Sequence, residues 1–399
     1  MHRYVLVINC GSSSLKFAVI DPQTGDCPLK GLAERLGQGH EVGDFSYKVA
    51  NEKFALTLHP GTHDAAMKQI VEVLEEQGLM AEISAVGHRI VHGGEYFSES
   101  VRIEDDVRDK IADCIRLAPL HNPAHITGID AAQKSFPDLV QVVVFDTAFH
   151  QKIPEKAYLY ALPYRYYQSY HIRRYGFHGT SYRYVSAQLP KLIDIEKPKS
   201  IVCHLGNGGS VAAIDGDHSL DTTMGLTPLE GIVHGTRSGD IDPAIPRILT
   251  EQFGISIHEV GEVLWKKSGL LGLSEISNDC RTLEEEMNKG NLAAIRALEV
   301  YCYRLAKHIA AQMVALNGCD VLVFTGGIGE NSAFVRKRTV EHLGFLGFKL
   351  DEDLNNEVLY GKTGAISAQD SKPIWVVPTN EELMIARDTL ALAEIAEKE

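Results

Sequence analysis

Residues 5–21 read VLVINCGSSSLKFAVID, and the reading of this stretch decides the fold. The apolar run Val5–Ile8 predicts a buried strand. Leu15, Phe17 and Val19 alternate with Lys16 and Ala18, the two-residue period of a second strand. Between them stands Asn-Cys-Gly-Ser-Ser-Ser. A loop of small residues beside a lysine points to phosphate. A Walker A loop, however, joins a strand to a helix and reads GxxxxGK[ST]. Neither that spacing nor the helix is present, so the stretch is a strand–loop–strand unit and not a P-loop.

The same rhythm returns at residues 201–216, IVCHLGNGGSVAAIDG: an apolar strand, a Gly/Asn/Ser turn and an alternating strand ending in Ile-Asp. Leu139–His150 (LVQVVVFDTAFH) and Asp320–Asn331 (DVLVFTGGIGEN) form a further pair, each a strand running into a small polar turn. This internal likeness predicts two related α/β domains facing one another across a cleft. The expected bounds are 1–150 for the first and 151–384 for the second, with a last helix at about 385–399 packing on the first. Apolar periodicity predicts helices over Asp64–Glu76 and Asn291–Leu316. A third is expected over Glu381–Lys398, with Thr379 as its N-cap and Glu382 completing a capping box.

A chain of 399 residues exceeds the size at which single cores stop growing, which also favours two domains. The net charge of −14 argues against a nucleic-acid partner. A few local arginines still admit an anionic substrate. The seven cysteines are scattered and odd in number, with no CxxC, which fits reduced thiols in the cytoplasm. The first apolar run is too short for a signal peptide, and no apolar stretch reaches membrane-spanning length, so no membrane association is expected.

Three glycine-rich turns stand at strand ends, and glycines let the backbone approach a phosphate. Two arginines, Arg89 in GHRIVHGGE and Arg237 in HGTRSGDIDP, lie among glycines. Their planar forks match carboxylate or phosphate oxygens. His178, in RRYGFHGTS, is a candidate donor to an oxyanion. Asp146 ends a strand, Asn9 ends the first strand, and Glu381 opens the last helix. This sparse set of hard oxygens suits magnesium, which keeps several waters. No HExxH, GxSxG elbow or dinucleotide fingerprint is present, so zinc, serine-hydrolase and dehydrogenase readings lose their basis.

Taken together, VLVINCGSSSLKF, GHRIVHGGE, PLHNP, VFDTAFH, RRYGFHGTS, HLGNGGS, GLTPLEGIVHGTRSGDIDP, FTGGIGENS and PTNEE resemble the acetate kinase family, in order and over essentially the whole chain. The resemblance implies an α/β fold of two duplicated actin-like, ribonuclease H-like domains with a nucleotide cleft between them. The second domain would be the main nucleotide-binding part. It also implies a phosphotransferase with a carboxyl group as acceptor. ATP and acetate would give ADP and acetyl phosphate reversibly, by direct in-line transfer. Mg²⁺ would be required, with Mn²⁺ as its substitute, and a homodimer is implied.

Carried over by position, Asn9 and Glu381 match the metal site. Ser12 and Lys16 lie on the nucleotide-phosphate side of the opening hairpin. Arg89 and Arg237 match substrate and transition-state arginines, Asp146 the catalytic aspartate and His178 the stabilising histidine. His204, Leu205, Gly206, Asn207 and Gly208 match one nucleotide segment. Asp279, Cys280 and Arg281 match another, and Gly327, Ile328, Gly329, Glu330 and Asn331 the third. Val91, Leu120, Phe177 and Pro228 match the apolar pocket for the methyl group. The chain departs from the pattern at Tyr182, where family members usually carry histidine. Two alternatives remain at this stage. A propionate or butyrate kinase would differ in pocket size, and one methylene is worth only ~1–3 kcal/mol in such a pocket. An actin- or chaperone-like ATPase switch would need an appended partner-binding region, for which 399 residues leave no room.

Overall fold

The computed structural model describes residues 4–37, 40–50 and 52–396. The chain divides into two compact units, Met1–Gln151 with Asn380–Glu399, and Lys152–Thr379. The sequence reading drew its lines at 150 and 384 instead.

The first unit holds an eight-stranded sheet. Its strands are β1 (Tyr4–Cys10), β2 (Ser14–Ile20), β3 (Leu29–Glu34), β4 (Gly43–Val49), β5 (Glu52–Leu58), β6 (Ile83–Ile90), β7 (Val101–Arg102) and β8 (Val140–Phe145). Their order across the sheet is β5-β4-β3-β2-β1-β6-β8-β7. The opening stretch forms the antiparallel pair β1–β2, with Asn9 directly opposite Lys16. β6 runs parallel to β1, and β8 parallel to β6. Leu15, Phe17 and Val19 turn to one face with Phe45 and Tyr47, where the helix His63–Glu76 closes the core through Met67, Ile70 and Leu74. Thr62 caps that helix by accepting the Ala65 N–H.

The second unit holds a six-stranded sheet, ordered β11-β10-β9-β12-β14-β13. Here β9 is Lys199–Leu205, β10 Gly209–Asp215, β11 His218–Thr222, β12 Val321–Thr325, β13 Gly364–Ala365 and β14 Ile374–Val376. The helix Leu292–Leu316 buries Leu298, Cys302, Leu305 and Ile309 in the core. Asn291 caps it by accepting the Ala293 N–H, and Asn317 ends it in the left-handed conformation.

The two sheets share one plan. The order β3-β2-β1-β6-β8 corresponds to β11-β10-β9-β12-β14, with the first three strands antiparallel and the last three parallel. This corrects one pairing made from sequence. Residues 320–331 are the counterpart of β6, not of Leu139–His150. The counterpart of Leu139–His150 is β14, whose three residues are too few to show a period. The glycine-rich tip after β12 is also not an open turn but a short helix, Gly326–Asn331.

The last helix, Glu381–Ala396, packs against β6, β8 and β1. Its first turn is capped by Asn380, whose Oδ1 accepts the Leu383 N–H at 3.0 Å. Thr379 is therefore not the cap, and the expected capping box with Glu382 is replaced. Residues 397 and 398 of the expected helix lie outside the described residues. At the closest approach of helix and sheet, a Cβ on Gly87 would stand 2.4 Å from Thr389 Oγ1 and 2.9 Å from Ile385. Among the described residues no helix is long and apolar enough to cross a membrane.

Candidate active site

In the first unit the C-terminal ends of three adjacent parallel strands bring chemistry together, as open α/β sheets generally do. Asn9 lies near the end of β1, Arg89 near the end of β6, and Asp146 one residue past β8, where its N–H bonds the Ile90 carbonyl at 2.9 Å. Arg89 grips Asp146 with two parallel bonds. Nε donates to Oδ1 at 3.0 Å and Nη2 to Oδ2 at 2.7 Å. Such a bidentate pair is strong and sets direction as well as distance. Asp146 is buried and Arg89 half-buried. Facing Asp146 holds the Arg89 guanidinium firmly protonated. Burial pushes the Asp146 carboxyl up, against the pull of Arg89. Both aspartate oxygens accept from the guanidinium, so neither is poised as a free base. One edge of the Arg89 fork remains for a ligand.

Glu381 opens the helix packed on these strands, and its charge is felt by both Arg89 and Asp146. Asn9 is half-buried. A carboxamide, a carboxylate and the nearby Asp146 are hard oxygen donors, few enough that a bound cation keeps its waters. That fits Mg²⁺ rather than zinc. Among the described residues there is no group of three or more His, Cys, Asp and Glu able to hold a metal by themselves. Ser12 and Lys16 are exposed on the opening hairpin.

A buried histidine shapes the loop after β6. His125 Nε2 accepts the Val91 N–H at 3.2 Å, and burial with the nearby Arg89 charge pushes its pKa down to about 3. The ring is therefore neutral, as an acceptor must be. Val91 is half-buried and Leu120 is 62% exposed.

In the second unit, His178 precedes the helix Gly179–Ile193 with φ 57° and ψ 21°. Its Nδ1 is 2.8 Å from Ser210 Oγ, and its ring stacks on His204 at 4.2 Å between centroids. Ser210 also meets the Tyr182 hydroxyl at 2.5 Å, and His204 Nδ1 meets Ser181 Oγ at 2.8 Å. Arg237 donates from Nη1 to the Pro228 carbonyl at 3.0 Å and lies over Trp265. A Cβ on Gly208 would stand 3.0 Å from that same Nη1, so the HLGNG turn is glycine where the guanidinium approaches. His234 Nδ1 accepts the Gly209 N–H at 3.0 Å, with its pKa lowered to about 3 by burial and by Arg237. Phe177 is buried and Pro228 half-buried.

A cavity of about 480 Å³ in this unit joins the three glycine- and polar-rich segments. Gly206, Asn207, Asp279, Cys280, Arg281, Gly327, Ile328 and Asn331 line it. Asn278 Nδ2 donates to Asn207 Oδ1 at 2.8 Å, tying the first segment to the second. Asp279 caps the helix Cys280–Asn288 by accepting the Arg281 N–H. Five expected residues do not line the cavity. Leu205 sits in the core, His204 stacks on His178, and Gly208 meets Arg237. Glu330 turns its Oε1 to the N–H groups of Gly326 and Thr379. Gly329 packs on Phe324 and Cys203 and is also absent from the lining. Four lining residues escaped the sequence reading: Asn278, Glu284, Ser332 and Tyr360. Asn278 and Ser332 adjoin the motifs. Tyr360, whose N–H bonds Asn331 Oδ1, carries no local signal.

The acetokinase family model matches residues 4–387. A protein of Dichelobacter nodosus named acetate kinase is 67% identical over 391 residues, covering 98% of this chain and 99% of the relative. The acetate kinase of Chromobacterium violaceum is 51% identical, covering 99% of this chain and 100% of the relative. Among solved structures, a propionate kinase from Francisella tularensis superposes with a TM-score of 0.93 at 45% identity, covering 98% of this chain and 100% of that one. Porphyromonas gingivalis acetate kinase gives 0.93 at 43% identity, covering 98% and 99%. With strand ends, arginine pair and cavity in place and likeness running from end to end, the chain belongs to the acetokinase family.

Proposed function

We propose that this protein is an acetate kinase, transferring the γ-phosphoryl group of ATP reversibly and in line to acetate, with acetyl phosphate and ADP as products. The observation that carries this reading is the 67% identity, over nearly the full chain, to a relative of that name.

Acetate is ionised at neutral pH, so attack needs no general base. The engaged Asp146 is in keeping with this, and its role is to hold Arg89. The free edge of Arg89 binds the carboxylate. Phosphoryl transfer depends on positioning and on stabilising charge at the transferred group. Arg237 and His178 meet those oxygens. Asn9 and Glu381 would hold Mg²⁺, which would offset charge on the nucleotide phosphates. Ser12 and Lys16 attend the phosphates, and the cavity of the second unit receives the nucleoside, which makes that unit the main nucleotide-binding part. By position in the family motifs, Val91 and Leu120 of the first unit and Phe177 and Pro228 of the second are assigned to the methyl group.

The seven free cysteines fit a cytoplasmic setting. A homodimer is part of the proposal. Helix Ile245–Phe253 buries none of its residues, and Ile248, Phe253 and Ile257 stand exposed, an apolar surface of the kind that marks interfaces. Light scattering at twice the chain mass checks it, and a monomer would refute it.

The Francisella propionate kinase keeps a longer acid in play. Acyl-hydroxamate formation with ATP, Mg²⁺ and hydroxylamine, across acetate, propionate, butyrate and no acid, decides. The expected result is strongest product with acetate. Strongest product with a longer acid would reassign the pocket. ATP hydrolysis indifferent to added acid would remove the kinase reading.

A further inference from the structure

His178 holds an uncommon backbone conformation where it precedes the helix Gly179–Ile193. A φ of 57° is the left-handed region, unfavourable for a residue with a Cβ. Such strain persists where neighbours over-determine a position. Among the neighbours are the stacked ring of His204 and the hydrogen-bonded hydroxyl of Ser210.

Ser210 does not stand alone. Its Oγ lies 2.5 Å from the Tyr182 hydroxyl and 2.8 Å from His178 Nδ1. Tyr182 sits one helical turn after His178, and its N–H bonds the His178 carbonyl at 3.0 Å. Both Ser210 and Tyr182 are wholly buried. The Thr222 side chain and the His204 backbone also lie beside the phenol. Three side chains thus form a line, Tyr182 Oη to Ser210 Oγ to His178 Nδ1.

The line has a direction. Buried Tyr182 keeps its proton, because burial pushes its ionisation up. A phenol is a stronger acid than an alcohol, so across a short O···O contact the phenol donates and the serine oxygen accepts. The serine then has one hydrogen to place, and His178 Nδ1 is the acceptor within reach. A nitrogen that accepts carries no proton, so the ring's hydrogen resides on Nε2.

We propose that Tyr182, acting through Ser210, is a positioning residue that fixes His178 as the Nε2–H tautomer. The neutral ring then offers a donor, rather than a lone pair, to an anionic phosphoryl oxygen. The inference rests on the reading that His178 meets the transferred group.

The test is nitrogen-15 NMR of histidine-labelled full-length protein, at a pH where the ring is neutral, with His178 assigned by comparison with His178→Gln. The ring nitrogens of the two neutral forms resonate far apart. The expected result is a single Nε2–H form in the native protein and a mixture in both Tyr182→Phe and Ser210→Ala. Turnover falls about tenfold in each, the scale of one lost hydrogen bond, with the KM for ATP within about twofold. The double variant is no slower than Ser210→Ala, because the two changes cut one line. Native His178 carrying its proton on Nδ1 overturns the proposal. So does a Tyr182→Phe protein that loses activity with its tautomer unchanged, since that marks a packing role. A changed tautomer with native turnover upholds the tether and removes His178 from the chemistry, so the two readings fail separately. If Tyr182→Phe does not fold, Ser210→Ala gives the same readout.

Discussion

Arg89 and Asp146 show how much one pair of side chains can fix. A lone arginine at a strand end sweeps a wide arc, and a carboxylate substrate would have to freeze it. With Nε and Nη2 held by Asp146, the remaining edge already points one way. That ordering is made during folding, not during binding. Arg89→Ala and Arg237→Ala are each expected to lower turnover by about 10²–10³, the scale of losing one charge-stabilising donor, with the circular dichroism of the native fold retained. Asp146→Asn leaves one acceptor and one donor against a guanidinium that only donates, so Arg89 swings free. Turnover should fall and the KM for acetate should rise. Near-native kinetics in Asp146→Asn would show that the pair is structural.

At the scale of elements, the helix Glu381–Ala396 lies on β6 at a position only glycine allows. Gly87→Ala should destabilise the protein by about 1–3 kcal/mol, the cost of overpacking, read as a lowered thermal midpoint. Because the nearest obstacle is the Thr389 hydroxyl, Gly87→Ala with Thr389→Ala should recover part of that loss; no recovery would place the strain elsewhere. Elements also show what the sequence could and could not reveal. The hairpins were legible because period-two alternation is local and repeated. The cap was misplaced by one residue because Thr379 and Asn380 are both good caps, and only the Leu383 N–H chooses between them. Gly326–Asn331 looked like a turn because its glycines mask a helical run. β14 was missed as a counterpart because pairing, not pattern, defines a three-residue strand. Of the cavity lining, eight residues stand in motifs, while five motif residues turn elsewhere. Tyr360 and the Tyr182–Ser210–His178 line were not legible, because tertiary packing alone brings them together.

Over the whole molecule, buried neutral histidines tie function to pH. Burial lowers His88 to about 4, and His125 and His234 to about 3. In the unfolded chain each titrates near ~6.5. Above that value neither state is protonated, and the full stability is present. As pH falls below it, the unfolded chain binds protons that the native state refuses. Stability then declines by about 1.4 kcal/mol per pH unit for each histidine, until the native values are reached. The thermal midpoint should be flat above about pH 7 and fall steeply between about 6.5 and 4. A decline that begins only below pH 4 would count against this account and leave carboxylates as the cause. His125 and His234 are both acceptors for site loops, at Val91 and Gly209, so protonation would undo those loops in particular.

The first unit owns both ends of the described chain, and the second lies between them in sequence. Synthesis runs from one end to the other. β1, β6 and β8 therefore emerge before the second unit, while the helix that covers them, Glu381–Ala396, is made after it. The unit that is begun first is finished last. Until Thr389 settles beside Gly87, the face of β6, β8 and β1 that this helix covers stays open to water.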